Sequence, residues 1–79
     1  MNISKQEALE IAKQYDIIGD NVVISYKTYT YPKSSLGYKK GKRKLMYWHI
    51  EKKCDGCGII QVDAENGNVF ATGKYNYIH

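Results

Sequence analysis

Seventy-nine residues with 43% hydrophobic content and eight tyrosines predict one folded domain, residues 1–79, near the lower size limit for a self-sufficient core, and exclude a disordered chain. No apolar run approaches membrane-spanning length, and Met1 to Ser4 leading into a helix pattern carries the expectation of no signal peptide. Two cysteines are too few for a disulfide scaffold, so the expected compartment is the cytoplasm. The net charge of +4 is unevenly placed. Lys33, Lys39, Lys40, Lys42, Arg43 and Lys44 fall within 32–44 with no acid among them, which leaves six bases and eight acids for the rest.

Ser4-Lys5-Gln6-Glu7 has the form of a capping box, in which Ser4 accepts from the Glu7 amide and the Glu7 carboxylate reaches back to the Ser4 amide. Ile3 and Ala8 are spaced as the staple across it. Ala8, Ile11, Ala12 and Tyr15 then share one face at helical spacing, with Leu9 on the flank, and predict an amphipathic helix over 5–15. A turn at 16–21 follows. The run 22–31 is β-branched and aromatic and alternates, as a long strand should. Val22, Ile24 and Tyr26 occupy one of its faces, and Val23, Ser25, Lys27, Tyr29 and Tyr31 the other. Pro32 ends the ladder.

Residues 33–44 form the one long connection, broken by Ser34-Ser35, Gly37 and Gly41 and expected to be mobile. Gly37 to Arg43 superficially resembles a phosphate-binding loop. It is one residue short between the glycines and lacks the hydroxyl residue after the lysine, so that reading fails. In the next strand Met46, Trp48 and Ile50 share a face opposite Leu45, Tyr47, His49 and Glu51, and Trp48 is expected at the centre of the core. Asp55-Gly56 reads as a type I′ hairpin turn. A third strand presents Ile60 and Val62 to the core. Asn66-Gly67 closes the next turn, with Gly67 left-handed and Asp63 accepting turn amides. Val69 and Ala71 continue the inward pattern in a fourth strand, and Tyr75, Tyr77 and Ile78 form a tail. The expected class is α+β: one N-terminal amphipathic helix packed on a four-stranded antiparallel meander sheet.

Three stretches, in order, resemble the PepSY domain family. Ile3 to Ala12 is similar to its Ser-x-x-Glu-Ala helix start, Tyr47-Trp48-His49-Ile50 to its aromatic-rich strand, and Val62 to Val69 to its Val-Asp-Ala-x-Thr-Gly-x-Val hairpin. Asn66 stands where Thr is common, and neither the 32–44 loop nor the cysteine pair belongs to the family pattern. The resemblance implies a PepSY-like, non-catalytic domain that inhibits or modulates peptidases, most such domains being secreted or membrane-tethered. Small cytoplasmic immunity proteins of bacterial toxin systems look similar too.

Cys54-Asp55-Gly56-Cys57-Gly58 has the shape of a zinc knuckle. A closed zinc site needs four ligands, and only His49 and His79 remain as nitrogen donors. A four-thiolate site shared across a dimer, a local disulfide and two free thiols are the alternatives, although a cross-strand disulfide flanking a two-residue turn is awkward in geometry. No cofactor is therefore expected, with zinc at Cys54 and Cys57 as the exception. No Ser or Cys is placed for activation by His49 and no paired carboxylates stand at a fixed spacing, so enzyme activity is not expected. The basic loop and its tyrosines form the candidate binding surface: Tyr29, Tyr31 and Tyr38 with Lys39, Lys40, Lys42, Arg43 and Lys44. The expected function is docking on an acidic protein partner, a peptidase or toxin, as an inhibitor or immunity protein. The alternative is nucleic-acid binding, with the tyrosines stacking bases beside the lysines.

Overall fold

The computed structural model describes residues 2–76 and is an α+β fold with the elements in the expected order. Helix α1 spans Lys5–Lys13 and is followed by β1 (Val22–Thr30), a short helix α2 (Leu36–Lys39), β2 (Lys44–Lys52), β3 (Gly58–Asp63) and β4 (Val69–Lys74). The four strands form one open antiparallel sheet in sequence order. Tyr77, Ile78 and His79 of the expected tail lie outside the described residues.

The capping box starts α1 as its residues require. Ser4 Oγ accepts from the Glu7 amide at 3.1 Å, and the Ser4 amide donates to Glu7 Oε1 at 2.8 Å. The helix stops two residues earlier than its periodicity predicts. Asp16 takes a left-handed conformation (φ 62°), the Asp16 amide donates to Lys13 and the Ile17 amide to Ala12, which is a Schellman ending. That reversal turns Ile17 back under the helix, where it is 2% exposed.

The core lies between α1 and one face of the sheet. Ala8 and Ala12 let the helix approach closely, and Ile17, Ile50, Ile60 and Val62 are the largest fully buried side chains. Trp48 is not the centre expected of it. It is half-buried at the margin of this cluster, its indole N–H donating to the Ile3 carbonyl at 3.4 Å and its ring meeting Tyr26 edge-on at 4.8 Å. Helix α1 is a single layer on a sheet whose other face has no covering element among the described residues.

Two turns and one bulge refine the strand pattern. Gly67 is left-handed (φ 79°), and Asp63 Oδ1 accepts from the Glu65 amide, as read from the sequence. At Asp55-Gly56 only Gly56 has positive φ (77°), so the turn is of type II character and not I′. The β3–β4 ladder shifts register between Gln61 and Val62: Val62 faces Val69, while Gln61 faces Ala71. The extra residue in β4 sends Ala71 to the open face, against the inward position expected from simple alternation.

Candidate binding surface

The expected site residues lie on the uncovered sheet face and on the hairpin that extends beyond it, and they do not form one cluster. β3 pairs with β2 only as far as Tyr47, so the start of β2 and the end of β1 run on beyond the four-stranded part as a two-stranded arm. The arm is capped by residues 32–43, and this cap is folded. Ser35 caps α2 by accepting from the Tyr38 amide at 3.2 Å, and its own hydroxyl donates to Pro32 at 2.7 Å. The Lys42 amide donates to Gly37, and the Tyr31 amide to Arg43, which closes the loop on the strands. The expected irregular connection thus contains a short helix, and serine and glycine here serve as cap and close-approach residues. Gly37 in particular lies under the Tyr31 ring, where a Cβ would sit 2.6 Å from two ring carbons.

Arg43 does not stand out as a free charge. Its guanidinium lies 3.8 Å from the centre of the Tyr38 ring and donates to the Tyr38 carbonyl at 3.1 Å, so Arg43 and Tyr38 form one stacked unit. Lys39 and Lys40 are exposed at the end of α2. Lys42 and Lys44 lie elsewhere, lining a cleft at the root of the arm together with Asp63 and Glu65, whose carboxylates offset part of their charge. Six of the eight expected residues therefore divide into an outer basic tip, a stacked pair and a partly neutralised root.

Tyr29 and Tyr31 meet edge to face at 5.2 Å and turn toward the open face. There they join residues that the basic loop did not point to. Tyr29, Tyr31, Leu45, Tyr47, Gln61 and Phe70 line one shallow groove, and Phe70 packs edge-on against Tyr47 at 5.6 Å. The groove measures about 260 Å³ and opens to solvent, below the roughly 300–1,000 Å³ of enclosed small-molecule sites. Tyr29 (46%) and Phe70 (47%) are well exposed, and Leu36 at the arm's tip is 67% exposed. Alternation in β2 and β4 signalled that Leu45, Tyr47 and Phe70 share the non-core side; α2, which carries Leu36, left no periodic trace. His49 sits farther along this face, held by Gln61 at 3.0 Å and 3.9 Å from Glu51.

Comparison with protein-family models, curated proteins and solved structures returns no match.

The cysteines settle differently from the zinc alternative. Cys54 and Cys57 are joined in a disulfide, with Cα atoms 5.3 Å apart, so neither sulfur is a free thiolate for a metal. Among the described residues no group of three or more His, Cys, Asp or Glu is placed to hold an ion. His79, the second nitrogen donor considered, lies outside the described residues. The expected awkwardness of the bond is removed because β2 ends at Lys52 and β3 begins at Gly58, so the cysteines are the outer residues of a four-residue turn. The Cys57 amide donates to Cys54 across it. A disulfide does not favour the cytoplasm expected from the composition. No helix among the described residues is long and apolar enough to cross a membrane.

Proposed function

We propose that the protein is a non-catalytic binding module that docks on another protein through the open sheet face and its overhanging basic arm, as an inhibitor or immunity factor would. The observation that carries this reading is the continuity of the aromatic groove with the arm. Tyr31 lines the groove with Tyr29 and Phe70 and also lies against Gly37 of the cap, whose Leu36, Lys33, Lys39 and Lys40 are exposed. Clustered aromatic area with a basic rim is the composition of a protein interface centre, and contiguous exposed apolar surface on so small a domain marks a docking site. The basic rim selects an acidic surface and speeds its approach. The PepSY-like motifs support the same class of activity: the Ser4 capping box, the Trp48 strand and the Asp63–Gly67 turn all fold locally as such motifs require.

Nucleic acid fits this surface less well. Base stacking needs free ring faces, whereas one face of Tyr38 is occupied by Arg43, and Tyr29 and Tyr31 are locked edge to face. A photo-crosslinking residue placed at Phe70 or Leu36, with Lys13 on the outer side of α1 as control, tests the assignment in the cells that make the protein. Adducts to protein from the first two positions and not from the third are expected. Adducts to nucleic acid alone, or equal labelling from Lys13, would remove the surface from consideration.

A further inference from the structure

Among the described residues the sheet has two free edges, and they are not alike. β4 is six residues long and broken by the bulge, two of the devices by which proteins blunt an edge. β1 is nine residues long with no proline, and its pairing with β2 runs without a shift from Val22 to Thr30. At its two ends Asn21 accepts from the Lys53 amide and the Tyr31 amide donates to Arg43. In an antiparallel ladder such bonds recur at every second residue. The odd-numbered residues of β1 therefore bond to β2, and Ile24, Tyr26, Thr28 and Thr30 direct their amides and carbonyls outward. Val22 is partly covered, its amide donating to Gly19.

Three side chains on this edge strand are large, apolar and exposed: Val23 (43%), Tyr26 (47%) and Tyr29 (46%). They are spaced symmetrically about Tyr26. We infer that β1 pairs with β1 of a second copy of this chain, antiparallel about a two-fold axis at Tyr26. The outward backbone groups then meet in register, Tyr26 with Tyr26, Ile24 with Thr28 and Val22 with Thr30. Between them Val23 falls opposite Tyr29 of the other copy, an aromatic on a β-branched residue, which is a favourable cross-strand pair. Lys27 falls opposite Ser25. Moving the axis to Lys27 would set two lysines face to face, so the one charge within the strand disfavours that neighbouring register. The product is a continuous eight-stranded sheet with both helices on one side, both aromatic grooves on the other and the basic arms at opposite ends. This pairing does not depend on the partner proposed for the open face.

Sedimentation of the full chain from micromolar to millimolar concentration tests it, with two variants. Thr28→Pro removes an amide that faces outward and no β1–β2 backbone bond, only the exposed Thr28 hydroxyl contact to Met46 Sδ, at a position where an edge strand accepts proline. It should leave the circular dichroism spectrum unchanged and weaken self-association roughly thirtyfold, because two symmetry-related backbone bonds are lost. Ser25→Glu places a carboxylate opposite Lys27 of the other copy and should tighten self-association roughly fivefold through two cross-strand ion pairs. A wild-type chain that stays monomeric throughout overturns the inference. So does a dimer that Ser25→Glu fails to tighten, or one that a folded Thr28→Pro variant retains at full strength.

Discussion

Ile50 and Trp48 lie two residues apart on the same face of β2, yet they carry different shares of the stability. Ile50 has no exposed surface and meets the helix and β3, whereas Trp48 keeps part of its ring in water beside Tyr26. Cavity cost follows the volume that neighbours cannot refill, and a side chain at the margin leaves a space that water enters. Ile50→Ala is therefore expected to cost about 3–4 kcal/mol and Trp48→Ala about 2 kcal/mol, despite the larger side chain removed from the second. Denaturant midpoints of the two variants decide the order, and a Trp48→Ala midpoint below that of Ile50→Ala would restore the tryptophan to the centre. Size alone pointed to Trp48 in the sequence. Ile17, which fills much of that role, sits in a segment that reads as a turn, and only the left-handed Asp16 explains why it folds inward.

At the scale of elements, what could be read in the sequence was what local chemistry determines. The capping box, the alternation of β1 and β2 and the Asn66-Gly67 turn each specify their structure within a few residues, and the meander follows from short connections. What depends on contacts between distant segments was not legible. Helix α2 is held by Ser35 and by Tyr31 lying on Gly37; the β4 bulge arises where Val62 and Val69 meet; the open-face groove needs rings from β1, β2 and β4 together. The disulfide belongs to the same group. Its turn also holds the residue that follows β4, because the Gly56 amide donates to Tyr75 and the Tyr75 amide returns to Cys57. Closing so short a loop is worth at most about 2 kcal/mol, and the backbone bonds of the turn persist without it. The double variant Cys54→Ser, Cys57→Ser should keep the sheet, lose about 1–2 kcal/mol and exchange its Gly56 and Tyr75 amides faster than wild type. Protection at those two amides that matches wild type would show that the bond does not fasten Tyr75.

For the molecule as a whole, the arm's charge offsets a liability of its shape. The described residues extend 39 × 33 × 16 Å, a flat body whose aromatic sheet face is open to solvent whether or not the β1 edges pair. Such surfaces associate unless something keeps copies apart, and net charge is the general means. Almost all of that charge comes from the arm, since the rest of the chain holds more acids than bases. Lys39, Lys40, Lys42 and Lys44 are exposed, and among the described residues their side chains make no hydrogen bond that shapes the arm, whereas Arg43 stacks on Tyr38 and must stay. Replacing those four lysines by serine removes four positive charges and takes the formal net charge from +4 to zero. Folding stability should change by less than about 1 kcal/mol, because solvated lysines contribute little to it. Colloidal behaviour should change far more. Near neutral pH the variant is expected to scatter light at concentrations where the wild type stays clear, and added salt, which screens the field beyond roughly 8 Å at physiological strength, should bring the wild type toward the same behaviour. Equal solubility of the two proteins at low salt would mean that the exposed aromatic face is tolerated for some other reason, and that the lysines serve recognition alone.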